Sequence, residues 1–272
     1  MYLPDFELRR PRTVEEAVAL IGDDARDSAV YMGGTELLLL MKLGLAAPEV
    51  LVDCKGVAGL KGLGVSGPRL SIGAAVTHAA VEAAEEVNDL FPELASVAGA
   101  LANVRVRTAG TLGGNLCFAD PHSDPATLLT AIDASVRLVG RHGVRTVAVA
   151  DLARGPYDAV LDGELLLAVD AEVPDGLRVA YERIVLRERP VVTVAALHDP
   201  QHGWRIAVGG AGQLARRIGE VEDVMNTGTA ELGDAQAALR GQLRPAEDLD
   251  GSEEYKQQLA SVLLGRALAR IR

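Results

Sequence analysis

Residues 108–124, T-A-G-T-L-G-G-N-L-C-F-A-D-P-H-S-D, restrict what this chain can fold into more than any other stretch. Three glycines, Gly110, Gly113 and Gly114, stand among small and polar residues, and two carboxylates, Asp120 and Asp124, close the stretch. Backbone with so few side chains lets a ligand approach closely, and its amides can converge on an anion such as a phosphate. Taken alone, the same pattern also suits a glycine-rich turn between packed elements. A second glycine cluster, Tyr31-Met-Gly-Gly-Thr-Glu36, lies about seventy-five residues earlier and favours the anion reading.

That earlier cluster follows a short apolar run, residues 28–32, and precedes a helix-forming segment, residues 35–44. Strand, glycine turn and helix start place free amides and the positive end of a helix dipole in one direction. Composition narrows the ligand. The net charge of −11 disfavours nucleic acid, which calls for a basic patch. No apolar run approaches the roughly 20 residues of a membrane helix, and no secretory signal is visible at the N-terminus. Two cysteines, Cys54 and Cys117, fit a reducing cytoplasm and are too few for an iron–sulfur cluster.

Read in order, residues 2–10 are extended, and Thr13-Val-Glu-Glu16 has the form of a capping box leading into a helix that ends near Gly22. An acidic turn, residues 23–27, precedes the first strand, and residues 48–54 form a second. Residues 63–65 and 70–72 suggest a small antiparallel sheet; residues 77–87 and 91–102 are helical. His78, at the start of the first of these helices, reads as a surface residue beside a cap. Residues 135–139 and 144–150 form a hairpin around Arg141-His-Gly143. Beyond Val173-Pro174, three β-like runs (177–185, 191–198 and 204–208) lead through the bend Gly209-Gly210-Ala-Gly212 to three helices. The expected fold class is α+β: a two-part first unit over residues 1–172, split near residue 55, then a smaller unit over residues 173–272 with a three-stranded antiparallel sheet and helices.

No hydrolytic motif is present, the five histidines are scattered among turns, and no group of side chains has metal-ligand spacing. The Gly209–Gly212 bend follows a hairpin and lacks the Rossmann spacing, and no P-loop lysine follows any glycine cluster. Two glycine turns could each take one end of an extended diphosphate. FAD has that shape, and the organic chemistry would then belong to the cofactor.

At this point the sequence resembles a known family, the FAD-binding medium subunits of molybdenum hydroxylases, which include carbon monoxide dehydrogenase and xanthine dehydrogenase. The resemblance starts at Arg10-Pro-Arg-Thr-Val-Glu-Glu-Ala-Val and passes through Gly33-Gly34-Thr35 and Ser71-Ile-Gly-Ala74. It is sharpest at Val104-Arg-Val-Arg-Thr-Ala-Gly-Thr-Leu-Gly-Gly-Asn115 and Ala119-Asp-Pro-His-Ser-Asp124, and ends with Ser252-Glu-Glu-Tyr-Lys256 and the helix after it.

The resemblance implies the two-part FAD-binding module of p-cresol methylhydroxylase-type flavoproteins followed by a smaller covering unit. It implies that Val30, Tyr31, Met32, Gly33, Gly34, Thr35, Glu36 and Leu37 wrap the diphosphate, and that Thr111, Gly113, Gly114 and Asn115 form a second cradle. Leu101 would pack near the cofactor, Asp124 would accept from a ribose hydroxyl, and Leu166 and Arg183 match further contacts. Arg183 stands where relatives commonly carry lysine, a substitution that keeps charge but changes geometry. No residue of this chain is expected to be catalytic or to bind metal. Molybdopterin and two [2Fe–2S] clusters would sit in a large and a small partner subunit, in a cytoplasmic dimer of heterotrimers. Two alternatives stay open: a flavin reductase resembling UDP-N-acetylenolpyruvoylglucosamine reductase, and a scaffold that has lost its flavin.

Overall fold

A computed structural model describes residues 2–22, 26–211 and 213–271. Part of the expected acidic turn, residues 23–25, and the last glycine of the expected bend, Gly212, lie outside the described residues.

The chain opens with a three-stranded parallel sheet, Glu7–Arg9, Val50–Asp53 and Ser28–Tyr31, with Val50–Asp53 in the centre and buried throughout. Helix Val14–Ile21 starts where the sequence places it, with the Thr13 hydroxyl accepting from the Glu16 amide at 3.2 Å. The Glu16 carboxylate reaches past the cap to the Arg12 amide at 2.7 Å, so the capping box closes one residue early. A five-stranded antiparallel sheet follows, ordered Leu63–Ser66, Arg69–Gly73, Leu165–Glu172, Ser135–Gly140 and Gly143–Ala148. Its centre is completed by Leu165–Glu172, which returns from far along the chain to pair with strands on both sides.

The last sheet has four strands and not three. Arg178–Val185, Pro190–Asp199 and Gly203–Gly210 form as the apolar runs require, and Gln213–Arg217 adds an antiparallel edge. That edge escapes a hydrophobic pattern because its five residues are all half-buried and include two arginines. Arg217 is held by a two-pronged contact with Asp133 (2.7 Å to each oxygen) and by Glu222 (2.5 Å). Pro190–Asp199 is buried almost throughout, because one face meets helix Asp124–Ala131 and the other lies under helix Glu253–Ile271. This explains its continuous run of apolar residues, the signature of a strand covered on both sides.

The two faces supply two cores. Ala195, Leu197 and Ala207 join the core of the preceding sheets, while Val192, Val194 and Ile206 pack with Leu263, Leu264 and Leu268 of the closing helix. Where helix Asp124–Ala131 meets the sheet, the buried hydroxyls of Thr127 and Thr193 pair at 2.9 Å. A Cβ at Gly209 would stand 2.0 Å from the Thr127 hydroxyl, so only glycine fits there.

Candidate cofactor site

The first glycine turn begins at the carboxyl end of Ser28–Tyr31 and ends in the short helix Leu37–Lys42. Gly34 has φ of +69°, and a Cβ there would strike the Tyr31 ring at 2.3 Å. Position 34 therefore needs glycine for both conformation and space. The Lys55 ammonium covers the same Tyr31 ring, 3.5 Å from its centre. A Cβ on Gly33 would lie 2.5 Å from the Ala109 carbonyl oxygen and 2.7 Å from Gly110 Cα. The two glycine clusters thus touch backbone to backbone. They were expected at opposite ends of an extended ligand, but they meet at the middle of one cradle, where Thr35 Oγ1 also borders Gly110.

The second cluster is helical and not a loop. Helix Val104–Ala109 is capped by Asn103, which accepts from the Arg105 and Val106 amides; Gly110 makes the corner, and helix Leu112–Phe118 follows. Glycines in a helix are costly by propensity, roughly 1 kcal/mol each relative to alanine. Tertiary contacts explain them. A Cβ on Gly113 would overlap Ala74 at 2.7 Å, and the Gly113 amide donates to the Ala74 carbonyl at 3.1 Å. The Thr111 hydroxyl caps the helix by accepting from the Gly114 amide at 3.1 Å, and lies 4.0 Å from Met32 Sδ across the cradle.

Gly114 differs from its neighbours. It is exposed, and a Cβ there would meet only the Thr111 hydroxyl, at 2.9 Å. Among the described residues that hydroxyl is the one neighbour that restricts the position, so Gly114 is less constrained by packing than Gly33 or Gly113, and its open side fits a ligand lying on bare backbone. Asn115 follows, its side-chain oxygen accepting from Ser123 Oγ at 2.5 Å, and Ser123 Oγ in turn accepts from the Ala126 amide to cap helix Asp124–Ala131. Val30, Tyr31, Met32, Gly33, Gly34, Thr35, Glu36, Leu37, Thr111, Gly113, Gly114 and Asn115 are therefore gathered around the joined turns.

The remaining expected contacts fall elsewhere. Asp124 is 1% exposed and both its oxygens are taken: one accepts from the Tyr181 hydroxyl at 2.7 Å, the other from Arg183 at 2.8 Å. The expected open ribose acceptor is, in this structure, the anchor between the first turn of helix Asp124–Ala131 and strand Arg178–Val185. A buried carboxylate requires such partners. Burial raises its proton affinity above the ordinary aspartate range, an effect that Arg183 and Tyr181 oppose. Arg183 also donates to the Ala100 carbonyl at 2.8 Å, next to Leu101, whose own carbonyl accepts from Arg107 at 3.0 Å. Leu166 is 2% exposed in the core, opposite Leu138, and offers no open surface.

Sequence reasoning missed two features. His78 is 3% exposed, not a surface residue: its amide donates to the Gly110 carbonyl at 3.0 Å, its ring borders Gly110, and its Nδ1 has no partner among the described residues. Burial pulls its imidazole down to about 4, so it is neutral near pH 7. The second is a bridge from the turn after Val185. Arg189 donates to both oxygens of Glu36 (3.1 and 3.2 Å) and to Asp120. Neither residue belongs to a motif, so only the fold could reveal them. Among the described residues no side-chain group could hold a metal ion, and no helix is long and apolar enough to cross a membrane.

Two glycine turns in contact, one glycine left open and one buried orphan nitrogen nearby fit an elongated phosphate-bearing cofactor. Comparison with known proteins agrees. Residues 4–175 match the family model of the FAD binding domain in molybdopterin dehydrogenase, and residues 192–271 match that of the CO dehydrogenase flavoprotein C-terminal domain. The carbon monoxide dehydrogenase medium chain of Afipia carboxidovorans is 32% identical over 97% of this chain and 96% of its own. The nicotine 6-hydroxylase medium subunit of Paenarthrobacter nicotinovorans is 31% identical, covering 98% of each. Among solved structures, a carbon monoxide dehydrogenase from Hydrogenophaga pseudoflava that lacks the Mo-pyranopterin moiety superposes with a TM-score of 0.94. It is 30% identical, covering 100% of this chain and 98% of the other.

Proposed function

The chain belongs to the FAD-binding subunits of molybdopterin dehydrogenases, a family of oxidoreductase flavoproteins, and on that premise we propose that it is the electron relay of a molybdenum hydroxylase complex. In this reading a large molybdopterin subunit oxidises the substrate, and two [2Fe–2S] clusters of a small subunit deliver electrons to FAD on this chain. An external acceptor then removes them. The assembly is a cytoplasmic dimer of heterotrimers. When bound, FAD supplies the ability to take and pass on electrons.

This chain's own residues bind, orient and exclude. The turn at residues 32–36 would face the diphosphate with its backbone amides, with the Thr35 hydroxyl beside them. The amides that open helix Leu112–Phe118 are taken by Val76, Ala74 and Thr111, so that segment would offer bare backbone surface and no free donors. Gly114 lets the cofactor lie on the helix backbone. Leu101 and Arg183 would be the contacts for the far end of the cofactor, and Asp124 holds Arg183 in place through their ion pair. The functional units are residues 1–172, divided near residue 55, and residues 173–272. The return of strand Leu165–Glu172 to the centre of the second sheet supports that boundary.

The observation that carries the proposal is the joined cradle itself, with Gly114 open. The test is reconstitution followed by size-exclusion chromatography. The flavin-loaded chain should co-elute with the small iron–sulfur subunit, and turnover should require the large subunit as well. Full turnover by the complex lacking this chain, with the same terminal acceptor, would contradict the relay role.

A further inference from the structure

The cradle is bordered by two negative charges in an arrangement that should repel a diphosphate. Glu36 directly follows the first glycine turn as the N-cap of helix Leu37–Lys42, and Asp120 lies two residues beyond helix Leu112–Phe118. Their side chains are 34% and 10% exposed, so solvent screens the second only weakly. Asp120 gains partial relief from local donors, the His122 amide at 2.9 Å and the Tyr157 hydroxyl at 3.4 Å, and His122 Nδ1 lies 3.0 Å from the same oxygen. These donors leave its charge in place.

Among the described residues, the full positive charge that meets both carboxylates comes from a third segment. Arg189 stands in the turn between strands Arg178–Val185 and Pro190–Asp199. One terminal nitrogen donates to both oxygens of Glu36, at 3.1 and 3.2 Å, and the other to Asp120 Oδ2. Glu36 and Asp120 belong to different glycine turns, so a single guanidinium ties the two halves of the cradle together and offsets charge on each. A guanidinium suits this task because it keeps its charge at any working pH and presents donors in a rigid fork.

We propose that Arg189 is a positioning residue for the cofactor: it neutralises Glu36 and Asp120 and holds the two glycine turns in register, so that the cradle accepts a diphosphate. This rests on the FAD reading above and adds to it a residue outside both glycine motifs. It also explains how Glu36 can adjoin an anion site at all.

The test titrates the purified full-length chain with FAD, separates free from bound cofactor by ultrafiltration, and follows thermal melting in parallel. Wild-type protein should bind FAD. Arg189→Ala should raise Kd at least tenfold in protein that the melting curve shows to be folded at the titration temperature. Arg189→Lys should fall between, since an ammonium keeps the charge without the fork. The deciding variant is Glu36→Gln in the Arg189→Ala background. If neutralisation is the role, removing one of the two opposing charges should recover a measurable part of the lost affinity. An Arg189→Ala protein that binds FAD as tightly as wild type overturns the proposal, and so does a double variant no better than Arg189→Ala alone. A wild-type chain that binds no FAD overturns the cofactor reading and this proposal with it. Binding in the wild type together with no effect of Arg189→Ala overturns this proposal only.

Discussion

Arg183 stands 2.8 Å from the buried carboxylate of Asp124, joining a strand of the last sheet to the first turn of helix Asp124–Ala131. The pair is asymmetric: Asp124 has 2% of its side chain exposed and Arg183 has 27%. Loss of the arginine would strand a buried carboxylate, whereas loss of the carboxylate frees a side chain that can turn toward water.

That asymmetry sets the first prediction. Breaking a buried ion pair by removing one partner costs about 3–5 kcal/mol, and partial exposure of Arg183 lowers this to the order of 2 kcal/mol. Arg183→Met should therefore destabilise the fold more than Asp124→Asn, which keeps an acceptor for the Tyr181 hydroxyl. Urea unfolding of the two variants at pH 7 checks the order. Equal losses would show that the pair is solvated and not an anchor.

The glycines of the cradle should separate folding from binding. Gly33→Ala and Gly113→Ala place a Cβ 2.5–2.8 Å from backbone or Ala74 atoms, so both should lower the melting temperature. Gly114→Val crowds only the Thr111 cap hydroxyl, at 2.9 Å, and should cost the fold less than either. It should still weaken FAD binding at least tenfold, by blocking contact with the backbone; loss of one charge-assisted bond alone, at roughly 1.5–3 kcal/mol, is sufficient. Full flavin occupancy in Gly114→Val at micromolar protein would misplace the cofactor.

Most of the helices and strands were legible because periodicity and caps state them locally: Thr13, Pro92 and the alternation in residues 135–148 suffice. What stayed hidden depended on neighbours distant in sequence. Helix Leu112–Phe118 contradicts the propensity of its two glycines, and only the approach of Ala74 makes Gly113 necessary. Strand Gln213–Arg217 has no apolar face of its own and is defined by its partner. The motifs identified the residues around the joined glycine turns, but the partners of Asp124 come from a sheet some sixty residues later. His78 looked polar and exposed because nothing in its own helix shows that Gly110 packs over it.

The buried neutral His78 makes stability depend on pH. Its affinity for protons is lowered in the folded state, from 6.5 to about 4, so the unfolded chain binds a proton first as pH falls. The contribution is whole above pH 6.5 and is lost progressively down to about pH 4. A shift of this size corresponds to roughly 3 kcal/mol at most. Unfolding measured at pH 7 and pH 4.5 should show a larger difference for wild type than for His78→Leu. The same difference in both proteins would mean that the imidazole is protonated in the folded state.

The relay assignment is tested most directly by anaerobic mixing of the purified flavin-loaded chain with one possible electron source at a time, following the visible flavin absorbance. The reduced iron–sulfur subunit alone should bleach the flavin rapidly and in proportion to the clusters added. Small aldehydes, purines or carbon monoxide should leave it oxidised until the large and small subunits are also present. Bleaching by any of these substrates in a rigorously partner-free preparation would contradict the account and place substrate oxidation on this chain.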